Sequence, residues 1–203
     1  MGRYIAVAGN MGAGKSTLVD FMQVRFGITP YFEPNDENPY LEAFYGDMKR
    51  WAFSSQIYFL QRKFALHLEL EREGGVVVQD RSIYEDAEIF ARNLRRMKVL
   101  DDRDWATYEG LYLSIRERLK PPDLLIFLKC SVRTVRKRIK LRARPEEQAV
   151  PLSYVRRLNV LYNQWFEDYT LSPTVVIETD RLDYVSDLVD RIDLLDTIGS
   201  YLK

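Results

Sequence analysis

Directly after a short apolar segment the chain reads Gly9-Asn10-Met11-Gly12-Ala13-Gly14-Lys15-Ser16-Thr17, which satisfies the pattern G-x-x-x-x-G-K-[ST]. Tyr4 to Ala8, just before it, has strand character. Lys15 to Phe26, at its end, repeats apolar positions at helical spacing until Gly27 stops the run. That strand–loop–helix context is the one the motif requires. Its glycines let the backbone curl until several N–H groups point inward, an anion nest at the positive end of a helix. Lys15 adds a point charge for β- and γ-phosphates, and the Ser16 hydroxyl is a ligand for Mg²⁺. The implied ligand is a nucleoside triphosphate lying along Gly9 to Thr17.

Two further sites of chemistry follow strand-like runs. Pro30 to Glu33 ends in Glu33-Pro34, and Val76 to Gln79 leads into Asp80-Arg81-Ser82. In a parallel sheet both ends face the ligand-binding edge. A nucleoside monophosphate brings its own negative charge, so its kinase needs arginines and no base. A nucleoside 5′-hydroxyl is neutral and needs a carboxylate to take its proton. Glu33 stands where such a base belongs, Arg81 serves the hydroxyl and the phosphoryl group in transit, and Asp80 helps hold Mg²⁺. A thymidylate-type monophosphate kinase is the rival enzyme, and a non-enzymatic nucleotide-binding switch the rival outside enzymes. The switch needs neither Glu33 nor a lid.

The third concentration of charge is Arg133, Arg136, Lys137, Arg138, Lys140, Arg142 and Arg144. Such a run reads as a solvated helix face, a nucleic-acid patch or a phosphate lid. Arg138 and Arg142 share a helical face, and the run ends in Pro145-Glu146-Glu147-Gln148, whose acids repel a nucleic-acid backbone and suit a sugar hydroxyl. A lid over roughly 136–149 is the preferred reading.

Positioning these groups takes a sheet. Strand-like runs at Tyr4–Ala8, Pro30–Glu33, Val76–Gln79, Leu124–Leu128 and Thr174–Ile177 alternate with helical patterns. The helical stretches cover 39–73 (with a break near Gly46), 84–97, 104–119, 132–142, 152–169 and 184–201. The fold class is therefore α/β, a doubly wound five-stranded parallel sheet with helices on both faces and an Arg-rich lid, in one domain over 1–203. Asp180 to Tyr184, after the fifth strand, belongs near the adenine of ATP. His67 and Cys130 read as buried structural residues. Trp105, Tyr108 and Tyr112 read either as core or as a helix-packed homodimer face.

Composition sets the outer bounds. The chain has 203 residues, with 30 Lys+Arg against 30 Asp+Glu, 46% hydrophobic and 13% aromatic residues. Disorder is excluded, and zero net charge argues against nucleic acid as the main partner. One cysteine allows no internal disulfide and suits a reducing compartment. No apolar run approaches the ~18 residues of a membrane span. With no basic-then-apolar leader, the expectation is a cytoplasmic protein without membrane partners.

Taken together, Glu33-Pro34, Tyr45, Trp51 to Gln56, Asp80 to Tyr84 and Arg138 to Gln148 resemble the deoxyribonucleoside kinase family. The likeness is greatest to its bacterial deoxyadenosine/deoxyguanosine kinase branch, related to deoxycytidine kinases, and spans the first strand to the fifth. It implies a P-loop kinase fold, a homodimer, and ATP-dependent 5′-phosphorylation in nucleotide salvage. The implied acceptor is deoxyadenosine first, then deoxyguanosine or deoxycytidine. It makes Glu33 the general base with Arg81 beside it. Arg138, Arg142 and Arg144 become clamps on the ATP phosphates, and Gln56 a hydrogen-bonding partner of the nucleobase. Tyr45 and Glu147 hold the sugar 3′-hydroxyl. Asp86 matches the acid that purine and cytosine kinases carry. Two departures stand out: Asp80 where many relatives have Glu, and Lys63 where the branch pairs the acid with an arginine.

Overall fold

Alternation along the first strand sets up the two layers of the core. In β1 (Arg3–Ala8) Ile5 and Val7 point to one face, Tyr4, Ala6 and Ala8 to the other, and all are buried. The computed structural model describes residues 2–32, 38–143 and 150–202. In it β1 pairs in parallel with β3 (Val76–Asp80) and β4 (Leu124–Lys129); β2 (Thr29–Tyr31) flanks β3 and β5 (Thr174–Glu178) flanks β4. The order β2-β3-β1-β4-β5 leaves the central strands covered on both sides, which explains their almost unbroken apolar sequences.

On one face Ile5, Val7, Ile126 and Leu128 meet Leu18, Val19 and Met22 of α1 (Lys15–Phe26), together with the last helix. On the other, Tyr4, Ala6, Leu125 and Phe127 meet a layer that includes Leu158 and Tyr162. Each fully buried aliphatic or aromatic side chain here is worth about 1.5–3 kcal/mol over its exposed state. This packing fixes the strand ends against which the functional loops are built.

The remaining helices are α2 (Leu41–Gly46), α3 (Met48–Leu70), α4 (Ile83–Glu85), α5 (Arg92–Arg96), α6 (Asp102–Arg116), α7 (Val132–Arg142), α8 (Leu152–Glu167) and α9 (Leu188–Leu202). The break expected near Gly46 occurs at Asp47, whose carboxylate accepts the Arg50 N–H and starts α3 afresh. Between α4 and α5 the chain makes a π-helical turn, Asp86–Ala91, a widening that apolar periodicity does not reveal. The second strand stops at Tyr31, short of Glu33. The last helix starts at Leu188 rather than Tyr184, because Tyr184 is drawn into the core as a loop residue. Tyr108 and Tyr112 are buried against Leu60, Ile83 and Ala87, with Trp105 partly covered beside them, so this aromatic group is core.

Candidate active site

The loop after β1 is shaped by close approach. Gly14 has φ 104°, and a Cβ there would lie 1.8 Å from the Tyr184 hydroxyl; at Gly9, φ 152°, it would meet the Leu128 carbonyl at 2.8 Å. Only glycine tolerates both the conformation and the contact. Helix α1 begins without a side-chain cap, so its first N–H groups are left for an anion. The Lys15 ammonium turns back on the loop and donates to the carbonyls of Gly9 (2.9 Å) and Asn10 (3.3 Å). Asn10 fastens the loop to α8 through Asn159 (3.2 Å) and the Val155 carbonyl (3.3 Å), and its own Oδ1 accepts the Met11 N–H. Ala13 is buried at the turn into Gly14, and Thr17 opens onto the donor side.

Ser16 and Asp80 meet across β1 and β3, the hydroxyl donating to Asp80 Oδ2 at 2.5 Å. Asp80 Oδ1 is buried and accepts no hydrogen bond. A hydroxyl, a carboxylate and one spare buried oxygen suit a hard cation that keeps most of its shell from water and phosphate. Among the described residues no cluster of three or more acidic, His or Cys side chains offers a protein-only cage.

Arg81 follows with φ 62°, a left-handed conformation rare outside glycine. Several contacts hold it there. Its N–H donates to the Val7 carbonyl at 3.1 Å, and the fully buried Lys63 ammonium donates to the carbonyls of Arg81 and Asp80. The guanidinium lies 4.4 Å from the centre of the Phe90 ring and its Nε 3.6 Å from Glu85 Oε1. Strain maintained by this many contacts is characteristic of functional turns.

Gln56 and Asp86, expected to face the nucleobase, are both buried. The Lys63 ammonium sits 3.9 Å from Asp86, so a lysine holds the acid where the resemblance implied arginine. Asn38 donates to the Ser55 hydroxyl at 3.1 Å, anchoring the chain next to Gln56. Tyr45 is half-buried on α2, its ring 5.3 Å from that of Phe44. Glu33, Arg144 and Glu147 lie outside the described residues.

On the donor side a cavity of about 1030 Å³ opens between α7 and the 180–186 loop, lined by Thr17, Thr134, Lys137, Arg142, Asp180 and Tyr184 among others. Arg138, expected to clamp the ATP phosphates, is engaged with the protein itself in this structure. Its terminal nitrogens donate to the carbonyls of Ala13 (3.0 Å), Thr179 (2.8 Å) and Leu182 (3.2 Å) and to the Thr179 hydroxyl (3.0 Å). It therefore straps the phosphate loop to the cavity wall, because five fixed donors find a ring of carbonyls close by. Asp180 accepts the Ser131 N–H at 2.9 Å at the start of α7. Burial pushes its pKa up, but hydrogen bonds from Thr134 and Ser131 outweigh this and hold it below the usual carboxylate range.

Sequence reading overlooked Glu85 altogether. It is completely buried, and Oε1 accepts both the Gly9 N–H (3.2 Å) and the Tyr162 hydroxyl (2.5 Å). Burial raises its pKa, while Arg81 and Lys15 draw it back. The available signal was its place four residues after Arg81, on the same helical face.

A family model described as deoxynucleoside kinase matches residues 5–203. A deoxyguanosine kinase of Lactobacillus acidophilus is 38% identical, over 98% of this chain and 90% of its own. A deoxyadenosine/deoxycytidine kinase of Bacillus subtilis is 34% identical, over 98% and 92%. Among solved structures, deoxyadenosine kinase from M. mycoides with bound dATP superposes with a TM-score of 0.84 at 29% identity, covering 97% of this chain and 99% of that one.

Proposed function

Since the chain belongs to the deoxynucleoside kinase family, ATP-dependent phosphorylation of a deoxynucleoside is its reaction, and we propose deoxyadenosine as the preferred acceptor, followed by deoxyguanosine or deoxycytidine. The product is the 5′-monophosphate, made in the salvage of deoxynucleosides. Relatives named for deoxyadenosine support the purine reading, as does a buried acid, Asp86, in the pocket region.

In the proposed mechanism the phosphate loop and Lys15 grip the triphosphate, and Gln56 and Asp86 hold the base edge. Tyr45 and Glu147 hold the sugar. Glu33 accepts the 5′-hydroxyl proton as that oxygen attacks the γ-phosphorus and ADP leaves. Lys15, Arg81, Arg142 and Arg144 face the negative charge as it shifts toward the leaving oxygen. Ser16 and Asp80 would hold magnesium, which would neutralise negative charge on the triphosphate. A homodimer in the cytoplasm completes the reading; no helix among the described residues is long and apolar enough to cross a membrane.

The observation that carries the proposal is the junction of two sites on one strand end. Asp80 meets Ser16 of the phosphate loop, while Lys63 reaches from the Asp80-Arg81 carbonyls to Asp86. The test is kcat/KM for the four deoxynucleosides with ATP. Deoxyadenosine is expected to lead by at least about tenfold over thymidine, a difference of about 1.4 kcal/mol in transition-state binding. A lead for thymidine would overturn the preference.

A further inference from the structure

We propose that Glu85 is a positioning residue for phosphoryl transfer, acting through Arg81. The inference rests on the kinase reading above and deepens it. One carboxylate oxygen is shared by three parts of the active site that are far apart in sequence: the Gly9 N–H at the entry to the phosphate loop, the Tyr162 hydroxyl on α8, and Arg81 Nε. Burying a charge so completely is costly unless the partners repay it. Here the repaying cations are Arg81 and Lys15, both assigned to the transferring phosphate.

The geometry explains why a carboxylate is needed there. Arg81 leaves a left-handed backbone turn, and without guidance its side chain could adopt many rotamers. Phe90 limits it on one side by stacking, and Glu85 draws Nε inward from another. The ion pair at 3.6 Å thus fixes the guanidinium beside the phosphate loop, where a planar cation suits phosphoryl oxygens. Because the same oxygen accepts the Gly9 N–H, the arginine is indexed directly to the loop that carries the triphosphate. A displacement of about 1 Å in such a group can cost a hundredfold in rate.

Glu85→Gln isolates the charge from the packing, since the amide oxygen can still accept from Gly9 and Tyr162. With wild-type enzyme first shown to phosphorylate deoxyadenosine, the variant is expected to lose at least tenfold in kcat. KM for ATP should stay within threefold and the melting temperature equal to wild type or higher. In an Arg81→Ala background the same change is expected to cost less than twofold, because the group it positions is gone. Tyr162→Phe, which removes one bond and keeps the charge, gives a smaller loss that also vanishes with Arg81→Ala. Wild-type kcat in Glu85→Gln, or a full additional loss in the Arg81→Ala background, would overturn the proposal. An inactive wild type would instead count against the kinase reading.

Discussion

At the scale of single residues, we distinguish groups proposed to act on the phosphates from groups that hold their neighbours in place. Ser16 and Asp80 meet beside the phosphate loop, where we place the triphosphate tail, while Lys15, Lys63 and Arg138 all donate to backbone carbonyls. Cations that satisfy carbonyls in this way stiffen the loops they join. Glu33 is the proposed base, and its removal separates chemistry from binding. Glu33→Ala is expected to lower kcat by about 10²–10⁴-fold. ATP affinity, measured by calorimetry without acceptor, should stay within a few-fold. A near-normal kcat would remove Glu33 from the mechanism. The sequence made the phosphate loop legible because its glycines and lysine are tied to fixed spacing. Glu85 was not legible, since an acid four residues past an arginine looks like any helix-surface ion pair until its burial is known.

At the scale of elements, α3 does two jobs. It carries Gln56 and Lys63, both expected on the acceptor side, and its carboxyl-terminal end locks the helix under β1 through His67. That imidazole is fully buried, edge-on to Tyr4 at 5.3 Å, with Nε2 3.0 Å from the Lys120 carbonyl and 3.3 Å from the Glu71 carboxylate. Burial lowers its pKa, only partly offset by Glu71 and the Lys120 carbonyl. Below the ordinary histidine value of about 6.5 the unfolded chain takes up a proton that the native state refuses, so stability falls as pH drops. The melting temperature of wild type should therefore fall more steeply between pH 7.5 and 5.5 than that of His67→Gln, with each kcal/mol worth about 2–4 °C in a chain of this size. Parallel slopes for the two proteins would show that His67 does not titrate in this way. Element boundaries were largely legible where apolar periodicity and Gly or Pro punctuation agreed, as for α1 and α7. They were missed where a side chain is recruited from a loop, as with Tyr184, whose hydroxyl donates to the Gly14 carbonyl at 3.1 Å. The π-helical turn was missed for a related reason: its irregularity serves the site, setting Asp86 and Phe90 toward Lys63 and Arg81.

At the scale of the molecule, the strand order β2-β3-β1-β4-β5 brings the ends of β1 and β3 side by side, where Ser16 meets Asp80. The donor cavity opens beyond β1, between α7 and the loop after β5. We place the acceptor site between α3 and the π-helical turn, where Lys63 meets Asp86. A sheet of this kind separates a charged donor from a neutral acceptor and lets them meet at one edge. The account therefore stands on the acceptor being an uncharged alcohol. The direct measurement is product analysis after incubation with ATP and Mg²⁺ and either deoxyadenosine or its 5′-monophosphate. The account predicts one monophosphate and one ADP per deoxyadenosine consumed, and no transfer to the monophosphate. Diphosphate formed from the monophosphate, with deoxyadenosine left untouched, would contradict it.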